Sequence, residues 1–132
     1  MKSTYFRIFS AALLAVSLSQ VAHAADVVVI SNSGTTISAG EVKDVFLGEK
    51  QFAGGTKLVP VDNAALQESF LSKFMNMAGD KYNSIWTKKS FRDGLTPPAV
   101  KLGDAEVIDY VKRTNGAVGY VSAAPSGVNV AK

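Results

Sequence analysis

The sequence predicts an α/β fold: a small three-layer-like domain with a short mixed sheet flanked by helices. Three observations carry this. Asp26-Val27-Val28-Val29-Ile30 is a continuous β-branched run, as in strands buried on both faces under helices. Short runs of this kind alternate with amphipathic helical patterns. Near the end, Asn115-Gly116-Ala117-Val118-Gly119-Tyr120-Val121 reads as a helix stop leading into one more buried strand.

The chain opens on a targeting pattern. Lys2 and Arg7 are basic, Phe9 to Leu18 is apolar, and Ala22-His23-Ala24 is a small-x-small cleavage site, so residues 1–24 read as a secretory signal peptide. The apolar run is short for a membrane span. The expectation is one exported, periplasmic domain over residues 25–132, with no stable membrane insertion after cleavage. The full chain has 14 Lys+Arg and 11 Asp+Glu, a net charge of +3, and removing Lys2 and Arg7 brings this to +1. That balance lacks the basic excess of a general nucleic-acid binder, so no nucleic-acid partner is expected. The one histidine, His23, lies in the signal, and there is no cysteine. A Ser-His-Asp triad, a thiolate or imidazole zinc site, a cysteine nucleophile and a disulfide are all excluded from residues 25–132. Only carboxylate chemistry is left, and nothing pairs Asp62, Asp93, Asp104 or Glu106, so the reading is non-enzymatic, with no cofactor and no metal.

The elements follow in order. After the first strand, Ser31-Asn32-Ser33-Gly34-Thr35-Thr36 is a polar turn cluster. Ser38 and Glu41 make a capping box, Ile37 and Val42 a hydrophobic staple, and Val42, Val45 and Phe46 one apolar stripe, giving a helix from Ser38 to Leu47 that Gly48 stops. Gln51 to Gly55 reads as a loop. Leu58-Val59-Pro60-Val61 is a short strand, with Pro60 expected at a strand end or edge. Asp62-Asn63 offers caps for a helix buried through Leu66, Phe70, Leu71, Phe74 and Met77. Gly79 breaks it, and Asp80 caps a further helix from Lys81 to Arg92 whose apolar set is Tyr82, Ile85, Trp86 and Phe91. Pro97-Pro98 reads as a stiff extended connection. Beyond Gly103-Asp104, Val107, Ile108 and Val111 mark the last helix, and the strand at Ala117–Val121 follows. The tail from Ala123 to Lys132 reads as an edge strand or as a loose terminus.

A family resemblance rests on the stretch from Thr36 through Val45-Phe46-Leu47-Gly48-Glu49-Lys50, on Leu58-Val59-Pro60-Val61-Asp62, on the helix with Phe70, on Trp86 before Phe91, on Pro97-Pro98, and on Gly116-Ala117-Val118-Gly119-Tyr120. In this order and spacing the chain resembles the periplasmic phosphate-binding proteins of ABC transporters, and more closely their short, single-lobe relatives. The resemblance covers nearly all of residues 25–132. It implies a type II periplasmic-binding-protein-like lobe, that is, one wall of a two-lobed cleft that clamps an anion. The chain departs from the full-length pattern where an arginine and a serine-glycine-threonine turn grip phosphate: it has Pro60-Val61-Asp62-Asn63-Ala64-Ala65. Asp62 matches the family aspartate, and Gln67 stands where short relatives often carry arginine.

Two clusters are therefore candidate anion sites. One is Ser31, Asn32, Ser33, Gly34 and Thr35, whose hydroxyls and amides suit an oxyanion; the alternative is a plain connector. The other is Asp62, Asn63 and Ala64 at a helix start, where bare amides attract anions; the alternative is simple capping. Gln67 and Tyr120 are further contributors. Lys88, Lys89 and Arg92 read either as a surface for an acidic partner or as a solvated helix end, and Trp86 as core or as a ligand platform. The functional expectation is a solute-binding-type module for phosphate or another small oxyanion in a transport context. The alternative is a protein-interaction or structural lobe that has lost high-affinity anion binding, with a protein partner or a homodimer covering its open face.

Overall fold

The computed structural model describes residues 26–132; the expected signal peptide lies outside the described residues. Strand β1 is Val28–Ser31. A 3-10 turn, Ala39–Glu41, leads into α1, Val42–Phe46, and a small hairpin joins β2, Phe52–Ala53, to β3, Thr56–Lys57. Then come β4, Val59–Asn63, α2, Gln67–Phe70, continued by a π-helical turn over Leu71–Met75, and α3, Gly79–Asp93. The chain ends with β5, Ala99–Lys101, α4, Asp104–Arg113, β6, Ala117–Val121, and β7, Asn129–Val130. The main sheet has the order β5-β4-β6-β1-β7. β4 runs parallel to β5 and β6, whereas β1 is antiparallel to β6 and β7. The sheet is mixed, with helices on both faces, as the β-branched runs require.

The pleat sorts the core into two layers. Val27, Val29, Val118 and Tyr120 point to one face and pack with Phe46, Phe70, Leu71 and Trp86 of α1, α2 with its π turn, and α3. Ile30, Val61, Ala117 and Val121 point to the other face, under Val107 and Val111 of α4. On the first face the rings of Phe70 and Tyr120 stack at 3.9 Å, and Phe46 tilts against Phe70 at 4.7 Å. Gly119, between Val118 and Tyr120, lies under α4. A Cβ there would stand 2.6 Å from Val107 Cγ1 and 3.2 Å from Val61 Cγ2, so the missing side chain lets the helix seat on the strand.

The capping pair forms as expected: the Glu41 carboxylate accepts the Ser38 N–H at 3.2 Å and its hydroxyl at 2.8 Å. The ammonium of Lys50, 2.9 Å away, together with these Ser38 bonds, holds the Glu41 carboxyl down to about 2. Three local expectations change, and of the two alternatives for the tail one is realised. The Gln51–Gly55 loop is part of the β2–β3 hairpin, turned by Gly54 and Gly55 at positive φ. Pro97-Pro98 delivers an extra strand, β5, because the extended backbone that proline enforces is already strand-like. The tail forms edge strand β7. Phe91 is 92% exposed: it lies about 180° around α3 from Tyr82, so helical spacing carries it off the buried face. Pro60 is an interior-strand residue in sheet order, yet β5 joins β4 only from Val61, so Pro60 has a strand neighbour on the β6 side alone.

Candidate functional site

The register separates the two sequence-predicted clusters. Val59 pairs with Ala117 and β4 runs parallel to β6, so Asp62 and Asn63 lie at the carboxyl ends of the parallel strands. Ser31 pairs with Val118 in the antiparallel ladder, so the Ser31–Thr35 turn lies at the opposite end of the sheet. A rise of about 3.3 Å per residue over four or five residues puts roughly 15 Å between them.

The Ser31–Thr35 turn is tied to the protein around it. Ser31 is buried, and its hydroxyl donates to the Thr35 carbonyl at 2.7 Å. The Asn32 side chain donates to the carbonyls of Val111 and Lys112, the last turn of α4, while its Oδ1 accepts the Gly34 N–H at 3.0 Å. The Asn129 side-chain amide reaches across from β7 to the carbonyls of Ser33 at 3.1 Å and Thr35 at 2.9 Å. Thr35 Oγ1 is buried and has no hydrogen-bond partner among the described residues. Ser33 and Gly34 are exposed.

At the other end, β4 carries two buried polar side chains in succession. Asp62 faces the aromatic layer: its Oδ2 accepts the Tyr82 hydroxyl at 2.8 Å and its Oδ1 the Tyr120 hydroxyl at 2.9 Å. Burial raises the Asp62 carboxyl above its usual range, and the two tyrosine hydrogen bonds only partly offset this. Both tyrosine hydroxyls are pushed up in turn, first by burial and then by the facing carboxylate. Asn63 faces the opposite layer. Its amide donates to Asp104 Oδ1 at 2.8 Å and to the Tyr120 carbonyl at 3.0 Å, and its Oδ1 accepts the Ala65 N–H. Asp104, which opens α4, accepts from the Ser122 amide and hydroxyl. Burial pushes the Asp104 carboxyl up, but the bonds from Ser122 and Asn63 outweigh this and hold it below its usual range.

The helix start after β4 is not a row of bare amides. The Ala64 N–H donates to the Lys101 carbonyl at 2.8 Å, the Ala65 N–H to Asn63 Oδ1 and the Leu66 N–H to the Asn63 carbonyl. Asp62 is a strand residue, and α2 begins only at Gln67. Gln67 is half-buried and lines an open groove of ≈ 640 Å³ with Ser72, Asn76 and Gly79. Tyr120 is wholly buried and meets Asp62. Of the cations on α3, Lys89 reaches the Leu47 carbonyl and Glu49, while Lys88 and Arg92 are exposed. Trp86 is core, its indole N–H donating to the Phe46 carbonyl at 3.0 Å.

Four participants lay outside the sequence-predicted set: Tyr82, Asp104, Ser122 and Asn129. Helical spacing places Tyr82 inward but does not reveal that its hydroxyl meets Asp62. Asp104 carries only the signal of a helix start, and neither Ser122 nor Asn129 carries one. Among the described residues no cluster of three or more His, Cys, Asp or Glu could hold a metal ion, and no helix is long and apolar enough to cross a membrane.

No protein-family model matches the chain, and no curated protein does. Among solved structures it is similar to a Clostridium perfringens protein assigned as the substrate-binding protein of a phosphate ABC transporter, with phosphate bound. The TM-score is 0.52 at 15% identity, over 81% of this chain and 44% of that one. The chain thus spans less than half the length of that protein. The likeness is one of fold: this chain has the architecture of one lobe of such a protein.

Proposed function

We propose that this chain is an exported, non-enzymatic module of the solute-binding type that works in a transport context and forms one wall of a cleft for phosphate or a similar oxyanion. One observation carries the reading: 81% of the chain shares its fold with less than half of a phosphate-bound transporter protein. A lone lobe offers an anion only half a grip. Here the Ala64, Ala65 and Leu66 amides are already bonded within the lobe. On this reading the second wall comes from another copy of the chain, across the open groove that Gln67 lines.

Isothermal calorimetry of the domain over residues 25–132 with phosphate, sulfate as control, alongside light scattering tests this. The expected result is a monomer that binds phosphate no tighter than about 1 mM, with a shift to dimer as phosphate rises. The absence of phosphate heat together with an unchanged mass overturns it. That outcome supports the second reading, a protein-interaction lobe that has lost anion binding. What favours the second reading is that both candidate clusters spend most of their polar groups internally.

A further inference from the structure

We propose that a second groove, at the end of the sheet opposite Asn63, is a binding site for a small amphipathic carboxylate. It encloses ≈ 480 Å³ between the starts of β4 and β5 and the segment that follows α3. That volume is within the range of small-molecule sites and takes a ligand of about ten to fifteen non-hydrogen atoms. The inference goes beyond the transport reading and does not depend on it.

Composition argues for the occupant. Leu58, Pro60, Leu95 and Pro97 give the groove an apolar lining, and Trp86 adds an aromatic wall. The Trp86 indole N–H is occupied by the Phe46 carbonyl, and Gly48 lies so close under the ring that a Cβ there would stand 2.9 Å from it. The ring is therefore fixed, and a rigid apolar wall costs a ligand little ordering. Two lysines, Lys50 and Lys57, line the same groove, and no acidic side chain does. Lys50 is steered by Glu41 at 2.9 Å, while Lys57 is exposed and in none of the ion pairs among the described residues. An apolar body satisfies the lining, and a carboxylate satisfies Lys57, since Glu41 already meets Lys50. Inorganic phosphate would leave the lining unused, and a neutral hydrocarbon would leave Lys57 unused.

Trp86 is the only tryptophan in the chain; it also borders a shallower groove beside Phe91, so its emission reports binding and the Lys57 and Leu95 variants, which line only this groove, assign it. The protein is titrated with octanoate, octanol and inorganic phosphate. Octanoate should give a saturable change in Trp86 emission, octanol should bind at least about fivefold more weakly, and phosphate should give no change. Lys57→Ala should weaken octanoate about fivefold and leave octanol unaffected, at an unchanged melting temperature. Leu95→Glu, with circular dichroism to confirm the fold, should abolish octanoate binding. An octanoate titration without saturation, octanol binding as tight as octanoate binding, or indifference to Lys57→Ala each overturns the proposal.

Discussion

Asp62 places a carboxylate in an aromatic layer with only tyrosine hydroxyls for company, and burial there disfavours the ion. Its folded-state pKa is raised above the unfolded value of about 3.8. The linked stability is therefore full below that unfolded value and is lost as pH rises through the folded one. Asp62→Asn keeps an acceptor for one tyrosine and gives the other a donor, while removing the charge. Denaturant melts from pH 4 to pH 8 should show the variant with a flatter pH dependence than the parent and a higher midpoint at neutral pH. An unchanged slope would show that Asp62 does not titrate in this window. Asp62→Ala should instead lose about 2–4 kcal/mol, because two buried hydroxyls lose their acceptor. In sequence Asp62 reads as a helix cap, since a carboxylate just after an apolar strand usually turns outward. The tyrosines that hold it inward lie 20 and 58 residues away in the chain, beyond any local pattern.

The helix-to-strand joint at Asn115–Val121 was legible from its glycines, and the structure gives each of them a neighbour. Gly116 has φ +82 and approaches the Lys57 carbonyl so closely that a Cβ would stand 2.1 Å from the oxygen. Gly119 meets α4 instead, through Val107 and Val111. The two should respond differently to alanine. At Gly116 both the backbone conformation and a main-chain neighbour resist, so Gly116→Ala should be the worse, at more than about 3 kcal/mol. At Gly119 the neighbours are side chains, and the overpacking cost should be about 1–3 kcal/mol. Trimming the facing side chain tests this directly. Val107→Ala should recover part of the loss in the double variant, a coupling of about 0.5–3 kcal/mol in a double-mutant cycle by urea denaturation. Purely additive energies would mean that helix seating is not what Gly119 permits. By contrast, the short α2 with its π turn was legible only as one regular helix, because Leu66, Phe70, Leu71 and Phe74 keep near-helical spacing whether or not the turn widens; left-handed Asn76 ends it, so Met77 lies beyond it.

Across the whole molecule, the α/β class and the buried β1, β4 and β6 were readable because parallel and doubly covered strands write continuous β-branched runs. The edges were not. β5 has three residues and β7 two, too few to show a period, and pairing alone defines them. The candidate site was legible by residue type but not by place, because the antiparallel entry of β1 sends its polar turn to the far end of the sheet from Asn63. The same topology gives the tail a task. β7 covers the outer edge of β1, the Ala131 N–H donates to the Val29 carbonyl at 3.0 Å, and the Lys132 carbonyl accepts the Ala39 N–H at 3.1 Å. The Asn129 side chain meanwhile holds the Ser33 and Thr35 carbonyls. Ending the chain at Gly127 would bare β1, whose own Val29 and Ile30 are core, and an uncovered apolar edge is a template for another chain. The truncated protein should form concentration-dependent dimers or larger species by light scattering, whereas Asn129→Ala, which keeps β7, should stay at the parent's mass and lose about 1–3 kcal/mol. If the truncated chain keeps the parent's mass, β7 is not what keeps β1 from pairing with another copy.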